Sequence, residues 1–576
     1  MTRASPRSGE SPGDVACAQV MRRGEGSSVI SINTGTRKWL RALAAMPLLV
    51  AGMVAVVQPA PAAAAPGGAT AVPPLRCTGN GTDGHRVEWV YTYETGTPNR
   101  LADRLPYIRA AAWAAQQNIN DSARREGAQR WLRFVTGATG CELVVRTVEV
   151  PAGSTNVYFK TWRATLQSLG LTASNRIYSV FTENYIPGYC GLSDPGDVPD
   201  DTNPSTGSSQ NRHPVWVTFA KGCFSGNLVT HELTHALGAM GEAMPHSNVI
   251  GNDAGHCTDG YEVLCGSSGL TTPCPDPLAS RLLDCGRDDY FAINPQGSYL
   301  PSHFNIAWHS LYLDHGTATT PQTTVAPLPP QLLRAADVEG TSIAFSWVPS
   351  FELNGPNQTL QYEVLRNGVV IGTQPASRPH FRATGLAMNT SASYAVRTRV
   401  TYDGVTRTSV NSPSLTVTTN SSTAQAGAAE NGALVMLANA LVDGNGRSLV
   451  MDVAGYRMDD NAGIQQWDQT NAVNQRWRLN SATGGTYTIT SDNSPRCLTP
   501  LGGQTTAGTP IVQTTCNGTA AQRWTFTVLS GVTYHIKTSA GTCIGAKDNA
   551  TGNASLVLAA CSTTQPSQRW TTVRIG

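Results

Sequence analysis

The sequence predicts a multidomain chain with an α+β domain first, an all-β sandwich second and a three-fold all-β unit last. Three observations predict it. At 576 residues the chain exceeds the about 100–200 residues usual for one domain. Near residue 331 the apolar pattern changes from a helical period to strand alternation. The tripeptide Gln-Arg-Trp then recurs at 475–477, 522–524 and 568–570, which marks an internal repeat.

Ahead of these domains, Arg37, Lys38 and Arg41 precede an apolar run from Ala42 to Val57 and the small-residue stretch Ala60-Pro61-Ala62-Ala63-Ala64-Ala65. This reads as an export signal over 1–65 with cleavage near Ala62 to Ala65, and Met21 is an alternative start. The run is shorter than the about 20 residues needed to span a bilayer, so no membrane span is expected in the mature chain. The cysteines agree with a secreted, extracellular protein. Of 13, Cys17 lies before the cleavage site, eight fall between Cys77 and Cys285, and four between Cys497 and Cys561. Even subsets within separate regions predict disulfides made inside each domain. A net charge of +2, from 41 basic and 39 acidic residues, gives no push toward nucleic acid or an anionic membrane.

The α+β domain is expected over 77–315. Leu105 to Val135 is predicted helical, with Ile108, Ala112, Ala115, Ile119, Trp131 and Phe134 on a period near 3.6. Cys141–Arg146, Arg176–Phe181 and Val215–Phe219 are predicted strands. The chemistry lies in His231-Glu232-Leu233-Thr234-His235. Two imidazoles four apart project from one helix face, so both can reach a single zinc ion. Glu232, beside the first ligand, can act as general base toward water. Ser225 or Asn227 can cap this helix, and Gly238 and Gly241 can end it.

That segment resembles the metzincin clan of zinc peptidases, whose His-Glu-x-x-His-x-x-Gly continues to a third histidine ligand. The resemblance implies one catalytic Zn²⁺, a peptide-bond hydrolase and a protein or peptide substrate. Gly238 is in place, but position 241 is Gly where the clan has histidine. His246 is the expected third ligand, carried back to the metal by a longer turn, with His256 as the alternative. The clan's methionine turn matches Tyr261–Cys265, with Leu264 in place of methionine. Asp259, Glu262, Asp288 and Asp289 form an acidic set for which Ca²⁺ binding is the alternative to a solvated loop.

A Thr- and Pro-rich linker, 316–330, is expected to be extended and semi-rigid. Over 331–419, Ile343, Phe345 and Trp347 alternate with small residues, and Tyr362 with Val364 and Tyr394 with Val396 each share a strand face. With Gly385-Leu386, these residues resemble a fibronectin type III domain. A Ser-, Ala- and Gly-rich linker, 420–431, leads to the repeats.

Over 432–576 the three tripeptides resemble the Gln-x-Trp repeats of ricin-type β-trefoil lectins. The resemblance implies pairs Cys497–Cys516 and Cys543–Cys561 within the second and third repeats. Val450 and Gln469 occupy those positions in the first. It also implies an Asp that accepts sugar hydroxyls and an aromatic ring that stacks on the sugar. The first repeat has both, Asp452 and Trp467, with Asn471 as a polar neighbour. The corresponding residues are Thr499 and Thr514 in the second repeat, and Gly545 and Ala559 in the third. One site for a galactose- or xylose-type glycan is therefore expected. The combined expectation is a zinc metalloendopeptidase tethered to glycans. The alternatives are a lectin whose first domain is catalytically inactive, and a glycan-cleaving enzyme, although no carboxylate pair stands out for the latter.

Overall fold

The computed structural model describes residues 69–574 except 156–158, 184–189, 194–213, 221–224, 240–243, 249–255, 259, 266–277, 323, 339, 352–357, 377, 403, 421–430, 443–447, 470–471 and 531–532. The leader over 1–65, Cys17, Cys223, Gly241, Asp259 and Asn471 lie outside the described residues.

The first region is built on a mixed sheet. Its strands are β1 (Arg86–Glu94), β3 (Val145–Val150), β4 (Arg176–Thr182), β5 (Gly191–Ser193) and β6 (Val215–Phe219), in the order β3-β1-β4-β6-β5. All neighbours are parallel except β5, which runs antiparallel to β6 at one edge. β1, β4 and β6 are nearly continuous apolar runs, as strands buried on both faces must be. Trp89 stacks on Phe181 at 5.0 Å, and Phe181 on Phe219 at 4.9 Å, under the helices.

Among the described residues, three helices accompany the sheet: α1 (Leu101–Arg124), α2 (Phe159–Ser168) and α3 (Gly226–Ala236). α1 and α3 pack very closely. A Cβ on Gly226 would lie 2.4 Å from the Ala114 Cβ, so only glycine fits that crossing. Asn118 Nδ2 then donates to Thr230 Oγ1 at 2.9 Å across the pair.

Two expected elements shift. The predicted helix over 105–135 ends at Arg124, and Trp131 belongs to β2 (Arg130–Leu132), paired with β9 (Leu313–His315). Gly127, at φ 84°, turns the chain between them, and Trp131 and Phe134, three residues apart, mimic the helical period. The strand expected over 141–146 begins only at Val145, because Cys141 adopts φ 53° in a turn tied to Cys77 by a disulfide. Two short strands, β7 (Ser247–Asn248) and β8 (His256–Cys257), form a hairpin after α3.

The segment expected as an extended spacer is packed instead. Thr319 and Gln322 donate backbone N–H groups to Gly127 and Arg124, Val325 and Leu328 are buried, and the Leu328 carbonyl accepts from Thr398 Oγ1. One apolar core accordingly runs from Leu75 to Val417. Within it, strands 331–338, 342–348 and 380–384 face a second antiparallel sheet of 358–366, 369–375, 391–402, 405–408 and 415–418. The Trp347 and Tyr362 rings meet across the two sheets at 5.3 Å.

Beyond residue 432 the described residues form a twelve-stranded sheet system with its own core. Trp477, Trp524 and Trp570 are each fully buried. Their indole Nε1 atoms donate to Met451, Leu498 and Ile544 carbonyls at 2.9, 3.0 and 3.0 Å, the same contact three times. The repeat is therefore structural: each Trp fills one third of the core and closes its own N–H. This unit contacts the first region directly. Arg104, 1% exposed, donates to Glu183 Oε1 at 2.7 Å and to Asp492 Oδ2 at 2.7 Å. Asp103 accepts from Arg478 at 2.6 Å. Among the described residues no helix is long and apolar enough to cross a membrane.

Candidate functional site

α3 forms where the sequence places it. Ser225, in extended backbone, accepts from the Leu228 N–H and caps the first turn, while Asn227 turns away to the Ser280 carbonyl. Gly238, at φ 108°, follows the last turn. The helix buries Val229, Leu233 and Ala236 and turns His231 and His235 toward the hairpin.

The third histidine there is His256, not the expected His246. His231 Nε2 lies 3.1 Å from His256 Nε2 and 3.3 Å from His235 Nε2. The hairpin decides this: β8 carries His256 back over α3, whereas His246 precedes β7 and points to the Asp289 carboxylate at 3.1 Å. Spacing alone could not separate the two, because the pairing of β7 with β8 decides which histidine returns to α3.

His231 Nδ1 meets the Val263 carbonyl at 2.6 Å, which makes Nδ1 the N–H and turns the Nε2 lone pair into the cluster. Val263 belongs to the turn read as the methionine turn. Leu264 is fully buried there, filling apolar space as expected of its substitution for methionine. Burial, then the neighbouring His231 and His256, holds His235 well below its ordinary pKa. It is thus neutral, the form a metal ligand requires. A cation among the three imidazole nitrogens would meet all three lone pairs at once. Their 3.1 and 3.3 Å separations suit the about 3.3 Å edge of a tetrahedron with Zn–N near 2.0–2.1 Å. His231, His235 and His256 are the residues that could hold such an ion.

Glu232 is 3% exposed, and its Oε2 has no hydrogen-bond partner among the described residues. Burial pushes its carboxyl up to about 8, partly offset by the Ser193 backbone N–H. A dication at the histidines would pull it back toward the carboxylate. Two flanking residues carried no sequence signal. Gly191 and Ser193 on β5 border Glu232 so tightly that a Cβ at 191 would lie 2.5 Å from Oε1.

The acidic set does not assemble as one group. Glu262, 1% exposed, accepts from the Tyr290 hydroxyl and the Cys285 N–H, while Asp288 and Asp289 lie beside His246.

In the repeat unit, Cys497 is bonded to Cys516 and Cys543 to Cys561. In the first repeat, strand 448–453 pairs with 462–468 so that Asp452 faces Gln465 and Val450 faces Trp467. Asp452 is 2% exposed, and Trp467 is half-buried. Asp452 Oδ1 accepts from Gln465 Nε2 at 2.9 Å, and Oδ2 from Asn474 and Gln475 at 2.7 and 3.1 Å. Burial pushes the carboxyl up to about 6 against the pull of these amides. The Gln of each tripeptide aims at this early position. Gln522 donates to Thr499 and Thr514, and Gln568 fills the third position so fully that a Cβ on Gly545 would lie 2.7 Å from its Cγ.

A family model for the ricin-type β-trefoil lectin domain matches residues 439–570. This stretch is a ricin-type lectin domain. Exoglucanase B of Cellulomonas fimi is 33% identical over 147 residues, covering 25% of this chain and 13% of that protein. The chain thus spans only a small part of that relative. Among solved structures, the designed three-fold symmetric protein ThreeFoil is 23% identical, with a TM-score of 0.23 over 25% of this chain and 99% of its own. The Polyporus squamosus lectin bound to a human-type influenza-binding epitope is 20% identical, with a TM-score of 0.22 over 25% of this chain and 50% of its own. The lectin domain places one acceptor and one aromatic ring on a common strand pair in its first repeat only.

Proposed function

We propose that the protein is a secreted zinc endopeptidase held near glycan-bearing surfaces by its lectin domain. The observation that carries the reading is the convergence of three Nε2 atoms beside a buried glutamate whose Oε2 has no hydrogen-bond partner among the described residues. Zinc, when bound there, supplies Lewis-acid activation of water and of a peptide carbonyl. Glu232 accepts the proton of the attacking water and returns it to the leaving amine, the two halves of amide hydrolysis. The Ser193 N–H and the Gly191 backbone hold that carboxyl in place. Val263 holds His231 in the tautomer that leaves Nε2 free to bind.

The lectin domain recruits a galactose- or xylose-type glycan through Asp452 and Trp467. Tethering raises the enzyme's local concentration at its substrate. The disulfides support an oxidising, extracellular location. The test is zinc analysis of the purified chain combined with casein cleavage. The reading predicts cleavage that a chelator abolishes and zinc restores. Zinc-loaded protein that cleaves no peptide would leave the lectin as the working part.

A further inference from the structure

We propose a second site for a zinc-type divalent cation, formed by His246, Asp288 and Asp289. It shares no residue with the three-histidine cluster. His246 sits at the open end of the β7–β8 hairpin, where its carbonyl accepts from the Thr258 N–H at 2.9 Å. The two aspartates come from a turn that is already rigid. Asp284 accepts five backbone N–H groups, from Arg287, Asp288, Asp289, Tyr290 and Phe291, at 2.6 to 3.2 Å. The turn is pinned to the hairpin by the His246 N–H, which donates to Asp289 Oδ1 at 2.9 Å.

His246 Nδ1 lies 3.1 Å from Asp289 Oδ2 and 3.9 Å from Asp288 Oδ1, and one donor atom from each residue falls within 4.8 Å of the others. Asp289 is 1% exposed at its side chain. Asp288 Oδ1 is buried and has no hydrogen-bond partner among the described residues. At 3.9 Å the His246 ring does not reach Asp288 Oδ1 with a hydrogen bond, and a buried acceptor without a donor is costly. A dication satisfies both carboxylates at once. One imidazole nitrogen with two carboxylate oxygens is a borderline donor set that suits Zn²⁺; Ca²⁺ prefers six to eight oxygens. The half-exposed His246 and Asp288 side chains leave an entrance. A cation held there ties the 284–291 turn to the hairpin that presents His256.

Zinc titration of the chelator-stripped, full-length chain, read by elemental analysis, tests the site. Wild type binds two equivalents, Asp288→Asn and His246→Ala each bind one, and a His231→Ala/His235→Ala variant also binds one. Asp288→Asn leaves the His246–Asp289 bond intact, and circular dichroism checks that it folds. Saturation at one equivalent in wild type and Asp288→Asn alike overturns the proposal, as does a second equivalent that survives both Asp288→Asn and His246→Ala. If wild type binds one equivalent that Asp288→Asn removes, this site stands and the three-histidine reading fails.

Discussion

In the lectin domain, the side chains around Asp452 come from its paired strand and from the 3-10 turn 473–475, and the same framework of paired strands is built three times. In the first region, one helix supplies two histidines and Glu232. The third histidine, the Val263 carbonyl and the Ser193 N–H come from a hairpin, a turn and an edge strand that occur once. The difference shows what each site tolerates. The lectin keeps its fold through buried tryptophans whose N–H groups bond the backbone beside the acceptor position and not its side chain, so two repeats could carry Thr499 or Gly545 there without losing the core. The histidine cluster has no such separation. The contacts that fix its geometry are the contacts that hold its loops.

The largest effect that could break this contrast is at Glu232. Glu232→Gln is expected to lower casein cleavage by about 10²- to 10⁴-fold with zinc content unchanged. Elemental analysis beside the assay checks both halves, and metal loss would show Glu232 to be a ligand. Next, His256→Ala should remove the zinc equivalent of the three-histidine cluster together with activity. His246→Ala should leave measurable cleavage, because His246 faces Asp289. The reverse outcome would mean that the hairpin rearranges in solution.

Gly191→Ala is expected to lower kcat by about 10- to 100-fold through displaced Glu232, with zinc retained. Near-normal kcat would show that the β5 edge yields.

The smallest effects belong to the lectin. A single shallow site should bind its sugar at millimolar strength, on the order of −4 kcal/mol, and lose it in Asp452→Ala or Trp467→Ala. Asp452 is the better hydrogen-bond acceptor when ionised, and its pKa is pushed to about 6. Affinity should therefore hold above that pH and fall about five- to tenfold as pH drops to about 5. A flat titration profile would remove Asp452 from the sugar contact. Asp452→Ala should also cost about 2 kcal/mol of stability, because it removes the buried carboxylate that accepts from Gln465, Asn474 and Gln475 together.

The ricin-type resemblance implied the disulfides at Cys497–Cys516 and Cys543–Cys561. The residue pattern alone determined the tripeptide repeat with its three buried tryptophans, strands β4 and β6, and the helix with His231, Glu232 and His235, with Ser225 or Asn227 as its cap. Each of these rests on periodicity, capping or repeat spacing, which act over short stretches of chain. Only the tertiary structure decided that His256 joins the pair, that Glu262 turns to Tyr290 while Asp288 and Asp289 turn to His246, and that Gly191 and Ser193 flank Glu232. It also decided that 317–330 packs into a shared core and that Asp492 docks on Arg104. These outcomes depend on which loop closes over which surface. Hairpin register, one glycine's missing Cβ and a buried ion pair settle that, and none leaves a period in the sequence.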